Sequence, residues 1–155
     1  MTPTNPSAPL PRALLHPRWW LAWALLCADT NVKLVDVRTQ AERDWVGRVS
    51  VADAQHLAVQ WSLYPGGAIN PAFIEQLGQC AAQDDVLLFL CRSGVRSRYA
   101  AKLATENGFI NCYDILEGFD RLIAAGQPFH GMRVAARRYD CGDKLGYLEA
   151  NVALG

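Results

Sequence analysis

The residues best placed to do chemistry lie in VLLFLCRSGVRSRYAAKLA, residues 86–104, where an apolar run ends abruptly at Cys91. The loop that follows consists of Arg92, Ser93, Gly94, Val95, Arg96 and Ser97. Backbone N–H groups at the start of a helix can curl around one anion, and Gly94 permits the left-handed conformation that such a curl needs. The positive end of a helix and nearby arginines also stabilise a thiolate. The spacing therefore predicts a nucleophilic cysteine inside an anion receptor.

A plainer interpretation is a buried core cysteine followed by a loop with surface arginines. Core cysteines are common because a thiol behaves as a small apolar group. A core cysteine, however, rarely opens a segment as polar as RSGVRS. We therefore favour the interpretation that Cys91 is a nucleophile.

Charge and composition narrow the class of ligand. The 155 residues carry fifteen basic and fifteen acidic side chains, so the formal net charge is zero, and 51% of the residues are apolar. A chain without a global basic field is not expected to bind nucleic acid or an anionic membrane. A local group of arginines beside Cys91 instead suits a small anion.

Strands and helices alternate along the chain with short connections. The segments read as strands are 32–38, 55–61, 86–91 and 112–116, and those read as helices are 18–28, 41–46, the stretch after Pro71, the stretch after Val95, and a short helix near 118–125. Asn70 is expected to cap the third helix, with Pro71 in its first turn. This alternation predicts an α/β fold with a mainly parallel sheet, whose ligands lie at the carboxyl ends of the strands.

The five cysteines and one apolar segment bear on location. An odd count cannot form a complete disulfide framework, and no pair has zinc-ligand spacing, so we expect reduced thiols, no metal and a cytoplasmic setting. Residues 18–28 resemble a signal peptide in having arginine before an apolar run. The run is far shorter than the roughly 20 residues that span a bilayer, which favours a packed helix.

Several motifs together resemble the rhodanese (thiosulfate sulfurtransferase) family. CRSGVRS at 91–97 is similar to its active-site loop, LVDVRTQAERDWVGRV at 34–49 to its first conserved block, YPGGAINPAF at 64–73 to bacterial single-domain members, and NCYDILEGF at 111–119 to its late strand. The resemblance implies a three-layer fold with helices on both sides of the sheet. One departure is an insertion of about two residues between Gly47 and His56, which leaves the register of the second strand open.

The resemblance also implies a reaction and roles for residues. Cys91 is implied to accept sulfur from a small anionic donor such as thiosulfate and to hold it as a persulfide, until cyanide, a thiol or a sulfur-relay protein removes it. Arg96 would orient the donor, Arg92 would face outward, and Ser93 and Ser97 would bond the loop or the persulfide. Asp36, Arg38 and Glu42 are expected to support the loop as a charge network. No cofactor is needed for this chemistry.

Two rival functions remain at this stage. Cysteine phosphatases and arsenate reductases use a similar loop, but those families place five residues between cysteine and arginine, whereas four lie between Cys91 and Arg96. A non-catalytic rhodanese-like binding module is the second rival. Such modules usually lack the cysteine that this chain has.

The two ends of the chain differ from its centre. Residues 1–16 are proline-rich and predict a flexible leader, and residues 17–120 carry the rhodanese resemblance. Residues 121–155, above all RYDCGDKLGYLEANVALG, resemble the carboxyl-terminal end of bacterial glucose-1-phosphate uridylyltransferases. So short a tail is not expected to form an independent domain.

Overall fold

The computed structural model describes residues 19–116 and 118–120, and the backbone of residues 129–130. The helices are α1 (Trp19–Ala28), α2 (Gln40–Val46), α3 (Phe73–Cys80) and α4 (Val95–Glu106). The strands are β1 (Val32–Asp36), β2 (Arg48–Val49), β3 (His56–Ala58), β4 (Val86–Leu90), β5 (Asn111–Asp114) and β6 (Phe129–His130). The predicted leader and most of the predicted tail lie outside the described residues.

The main sheet is parallel and has the strand order β3-β1-β4-β5. The predicted mainly parallel α/β fold is therefore confirmed. β4 lies inside the sheet between β1 and β5, and all five of its side chains are buried. This burial explains the uninterrupted apolar run, because a strand covered on both faces needs no polar side.

Helices cover the sheet on both faces, which confirms the expected three layers. Because side chains alternate along a strand, β4 divides its side chains between the two faces. Val86, Leu88 and Leu90 pack in one apolar cluster with Ala22 and Leu26 of α1. The opposite cluster contains Leu87, Phe89 and Cys91, together with side chains of α3 and α4. Cys91 therefore continues the alternation of β4 onto the face that α3 and α4 cover.

Helix α1 packs as a core helix, with Ala22 and Leu26 buried. Among the described residues, no helix has the length and apolar character that crossing a membrane requires. Two other helices end close to the predicted positions: α2 ends at Val46, directly before Gly47, and α4 ends at Glu106. β5 begins one residue earlier than predicted and ends at Asp114.

The prediction that Asn70 caps α3 is wrong. The helix begins at Phe73, and Ala72 occupies the N-cap position without a side-chain hydrogen bond. Asn70 closes a turn before the helix instead, since its Oδ1 accepts from the Ala72 N–H at 3.0 Å. Its amide nitrogen donates to the Gln60 carbonyl at 2.9 Å. The buried Asn70 side chain is thus used to fix the loop after β3.

The insertion before β3 is held by one buried glutamine. Gln55 closes a 3₁₀ turn, Asp53–Gln55, and the following residue pairs with Leu34 of β1. Its Nε2 lies 3.0 Å from each of the carbonyl oxygens of Leu26, Asp29 and Val32. This amide joins the insertion to the turn between α1 and β1, and so sets the register that the sequence left open.

We expect Gln55→Ala to lower the free energy of unfolding by about 1–3 kcal/mol, because buried carbonyls lose their donor. Gln79→Ala, at an exposed position of α3, is the control and should change it little. Urea unfolding followed by circular dichroism measures both. Equal midpoints for the two variants would contradict this role of Gln55.

Candidate active site at the end of the central strand

Cys91 follows the last residue of β4, at the carboxyl edge of the parallel sheet. The Leu90 carbonyl accepts from the Val37 N–H at 2.9 Å, so the neighbouring strand β1 fixes the backbone directly before the cysteine. The residue is only 1% exposed. A charge on so enclosed a sulfur needs hydrogen-bond donors from the protein.

The backbone N–H of Gly94 supplies such a donor. It lies 3.0 Å from Cys91 Sγ. Gly94 has φ 95° and ψ −5° and is the N-cap of α4, so it is in the left-handed region at the positive end of a twelve-residue helix. The sulfur therefore lies at the N-terminus of α4, where the sequence predicted an anion receptor.

Ser97 is the second polar partner of the sulfur. Its Oγ lies 3.4 Å from Cys91 Sγ, and its hydroxyl donates to the Gly94 carbonyl at 3.1 Å. The side chain is fully buried. Because a hydroxyl both donates and accepts, Ser97 can accept a hydrogen bond from the Cys91 thiol or donate one to a thiolate. This position agrees with the predicted role in bonding the loop or the persulfide.

Arg96 forms a bidentate ion pair with Glu42 of α2. The Nη1–Oε2 and Nη2–Oε1 distances are 2.8 and 2.6 Å. Glu42 also accepts from the N–H and hydroxyl of Thr39, which makes it part of the capping box that starts α2. Burial tends to raise the pKa of Glu42, but hydrogen bonds from Arg96 and Thr39 outweigh it and hold the pKa below its usual value. The predicted role of Arg96 in orienting the sulfur donor stays a prediction, because the Arg96 guanidinium is hydrogen-bonded to Glu42.

The outer side of the loop is exposed. Arg92 faces solvent, as predicted, and its Nε lies 3.2 Å from Asp120 Oδ2. Ser93 is exposed, and Val95 is 61% exposed. The outer side of the loop is therefore accessible to solvent, whereas the Cys91 sulfur is buried beneath it.

Asp36 and Arg38 form a buried ion pair at the end of β1. Arg38 Nε and Nη2 donate to the two carboxylate oxygens at 2.9 and 2.7 Å, and the guanidinium lies 3.7 Å from the centre of the Phe119 ring. Arg43 donates to the carbonyl oxygens of Arg38 and Asp36. Burial alone would raise the pKa of Asp36, but the hydrogen bonds and charge of Arg38, together with the charge of Arg43, outweigh it and hold the pKa far below its usual value. The predicted network thus has two parts, Asp36 with Arg38 and Glu42 with Arg96.

Two residues near these networks have no counterpart in the sequence-based prediction. His56 Nε2 is buried and lies 3.6 Å from Asp36 Oδ2, beyond hydrogen-bond distance. No spacing pattern indicates this pair, because β1 and β3 bring the two residues together. The second residue is Gly118, which lies against the backbone of Cys91 and Arg92.

Gly118 packs directly against the backbone of the loop that follows Cys91. A Cβ placed on it would lie 2.3 Å from the Arg92 carbonyl oxygen and 2.6 Å from that of Cys91. The next two N–H groups, of Phe119 and Asp120, donate to the carbonyls of Cys91 and Arg92 at 2.8 and 3.1 Å. In a trans peptide the N–H points opposite to the C=O, so residues 118–120 also orient the Arg92 and Ser93 N–H groups. The glycine of LEGF, residues 116–119, was the sequence feature that could have indicated this close contact.

The other described cysteines, Cys27, Cys80 and Cys112, are free thiols in different surroundings. Burial raises the pKa of Cys112 to about 11, and burial also raises that of Cys80. The environments of Cys80 and Cys112 therefore disfavour a thiolate. In the part of the chain that the structure describes, no cluster of His, Cys, Asp and Glu side chains is arranged to hold a metal ion.

The profile of the rhodanese-like domain family matches residues 21–125. The chain belongs to this family. The matched range covers the sheet, the Cys91 loop and the segment after β5, so the family assignment rests on the whole fold rather than on one motif.

Related proteins extend the comparison. An uncharacterized protein of Rickettsia prowazekii, RP600, is 35% identical over 99 residues, which are 64% of this chain and 78% of that protein. The crystal structure of Rv0390 from M. tuberculosis has a TM-score of 0.66 at 31% identity and covers 73% of this chain and 94% of that one. The polysulfide-sulfur transferase homodimer of Wolinella succinogenes has a TM-score of 0.64 at 18% identity, with 81% and 85% coverage, which shows a shared fold.

The depressed pKa of Asp36 predicts how stability depends on pH. The unfolded chain binds a proton at Asp36 at a higher pH than the folded rhodanese-like domain does, so this stabilisation is complete above about pH 5 and is lost as the pH falls. Asp36→Asn should cost about 3–5 kcal/mol at neutral pH, because Arg38 is left buried without its partner. It should also flatten the loss of stability between pH 5 and 3, measured by denaturant unfolding. Asp84→Asn, at an exposed position, should keep the wild-type slope; an unchanged slope in Asp36→Asn would contradict the assignment.

The close packing of Gly118 predicts a loss of activity beyond that of backbone strain. Gly67 is the matched control, since its φ of 71° resembles the 59° of Gly118 but nothing lies within 4 Å of a Cβ there. Gly67→Ala should lose about 1–2 kcal/mol of stability from left-handed strain alone. Gly118→Ala must also displace the loop, and a displacement of about 1 Å can reduce catalysis by about a hundredfold. Single-turnover loading of Cys91 with sulfur, the reaction that the family resemblance implies, measures this in folded protein, and equal loading rates in both variants would refute the role of Gly118.

Proposed function

We propose that this rhodanese-like domain is a sulfurtransferase that carries sulfane sulfur on Cys91. The observation that carries the proposal is the 3.0 Å contact between the Gly94 N–H and Cys91 Sγ at the start of α4. A preformed donor aimed at the reacting atom stabilises a thiolate before reaction, and a persulfide afterwards, without further reorganisation. The other described cysteines lack this arrangement.

The first half-reaction loads the sulfur. The Cys91 thiolate attacks the outer sulfur of a donor such as thiosulfate and forms a new S–S bond. The S–S bond of the donor breaks, and its electron pair leaves with sulfite. The charge of the resulting persulfide, Cys–S–S⁻, lies on the terminal sulfur, where the loop N–H groups and the Ser97 hydroxyl are available as donors.

The second half-reaction returns the enzyme to its starting state. The carbon of cyanide, or the sulfur of an acceptor thiolate, attacks the terminal sulfur, and the bond to Cys91 breaks with its electron pair on Cys91 Sγ. This is covalent catalysis in two half-reactions. No proton has to be removed from the acceptor by a base when cyanide or a thiolate attacks. The chemistry therefore needs no general base and no cofactor.

Loop length favours sulfur over phosphate. Four residues separate Cys91 from Arg96, and Gly94 is already within hydrogen-bond distance of the sulfur. A compact loop suits one sulfur atom, whereas a tetrahedral phosphoryl group needs three oxygens surrounded. We therefore rank the phosphatase and arsenate reductase alternatives below sulfur transfer.

The proposed partners are small. They are an anionic or neutral sulfane donor and a cyanide or thiol acceptor, with a sulfur-relay protein as an acceptor of the thiol class. A thiolate enzyme with free cysteines works under reducing conditions, so we place the protein in the cytoplasm. The proposal assigns all of this chemistry to residues 17–120 and none to the tail.

Replacing the nucleophile tests the proposal. The assay follows sulfur transfer to cyanide from thiosulfate or a thiosulfonate. In Cys91→Ser the rate should fall to that measured without protein, because an alcohol cannot form the persulfide. Thiocyanate production is the measurement. Cys112→Ser is the matched control and should remain active, since burial raises the pKa of that thiol and disfavours its thiolate.

Three outcomes would count against this function. Equal loss of activity in Cys112→Ser would remove the assignment of Cys91 as the sole nucleophile. Hydrolysis of an aryl phosphate at a rate comparable to sulfur transfer would favour a phosphatase. A folded wild-type protein that turns over no sulfane donor would favour a non-catalytic binding module.

A further inference from the structure

The two arginines of the loop, Arg92 and Arg96, are each paired with a carboxylate. Arg96 forms the ion pair with Glu42, with N–O distances of 2.8 and 2.6 Å and with both side chains about one-quarter exposed. Arg92 pairs with Asp120 at 3.2 Å. Each arginine between residues 92 and 97 therefore has an acidic partner.

The positive character next to the sulfur comes instead from the backbone. The Gly94 N–H contacts Cys91 Sγ directly, and α4 begins at the next residue. A helix N-terminus carries roughly half of a positive charge. This partial charge is enough to stabilise one negative charge, but it is too small to offset the repulsion among several negative charges.

Sulfane donors differ in the charge they bring to the thiolate. Thiosulfate carries two negative charges, so its encounter with the Cys91 thiolate gathers three, and its products are the persulfide anion and sulfite. Methanethiosulfonate, CH₃–SO₂–S⁻, has the same outer sulfur and S–S bond but only one charge. Its encounter gathers two negative charges, and its products are the persulfide anion and methanesulfinate. Repulsion grows with the number of charges, and an unpaired cation nearby would offset it.

We propose that the Glu42–Arg96 ion pair sets the donor selectivity of the site, so that monoanionic sulfane donors are used in preference to dianionic thiosulfate. Glu42 acts here as a positioning residue: by pairing with Arg96, it reduces the positive charge that the sulfur donor encounters. The proposal rests on the sulfurtransferase function proposed above, and it names the class of donor as thiosulfonates and low-molecular-weight persulfides, which carry one charge or none.

The test compares kcat/KM for thiosulfate with kcat/KM for methanethiosulfonate, both with cyanide as acceptor. Taking the ratio within each variant cancels changes that affect both donors equally. Glu42→Gln removes one charge while keeping an oxygen that can accept from Thr39. Asp44→Asn is the matched control, because Asp44 is an exposed acidic residue of the same helix that accepts from Gln40 rather than from the loop.

Glu42→Gln should raise the ratio of thiosulfate to thiosulfonate by about three- to tenfold, the effect of one partly screened charge. Asp44→Asn should leave the ratio near that of wild type. Arg96→Gln leaves Glu42 unpaired and should lower the ratio. The double variant Glu42→Gln/Arg96→Gln restores a neutral pair and should return the ratio to within about threefold of wild type. Arg96→Gln and the double variant carry the test alone if Glu42→Gln does not fold, which circular dichroism will show.

An unchanged ratio in active Glu42→Gln and Arg96→Gln variants would overturn this proposal and leave the sulfurtransferase function standing. An equal rise in Asp44→Asn would also overturn it, because the effect would then reflect net charge rather than the ion pair. A wild-type protein that uses neither donor would overturn the proposed function first, and the selectivity with it.

Discussion

The hydrogen bond from the Gly94 N–H to Cys91 Sγ is the contact on which the rest of the site depends. It requires a left-handed residue three positions after the cysteine, a helix that begins at the next residue, and a strand that delivers the cysteine to the edge of the sheet. A buried thiolate without such a donor would be strongly disfavoured. The sheet, the loop and α4 are therefore parts of one arrangement around a single sulfur atom.

Side chains and backbone have different tasks in this arrangement. The charged side chains pair mainly with one another: Glu42 with Arg96 joins α2 to the loop, and Asp36 with Arg38 forms a buried pair at the end of β1. The segment 118–120 holds the loop from the other side through two backbone hydrogen bonds. In the proposed reaction, the negative charge is stabilised by N–H groups whose orientation is fixed before a donor arrives, which is the condition for electrostatic catalysis.

Local patterns in the sequence were enough to predict what depends on neighbours along the chain. The apolar run of β4, the polar loop after it and the helical spacing of α4 identified the layers and placed Cys91 at a strand end. The pairing of Glu42 with Arg96 joins residues 54 positions apart, and no local pattern contains it. The same holds for His56 beside Asp36 and for Gly118 against the loop. Asn70 was misjudged because an asparagine before a proline suits a helix cap and a turn equally well, and the tertiary contact with Gln60 decided for the turn.

The central claim is that sulfur resides on Cys91 during turnover, and peptide mass spectrometry tests it most directly. The protein is treated with methanethiosulfonate or thiosulfate, freed of donor, and digested under conditions that preserve persulfides. We expect one added sulfur on the peptide that contains Cys91, and its removal by cyanide with release of thiocyanate. Sulfur found on the peptides of Cys27, Cys80 or Cys112 instead, or on no peptide with either donor, would contradict it.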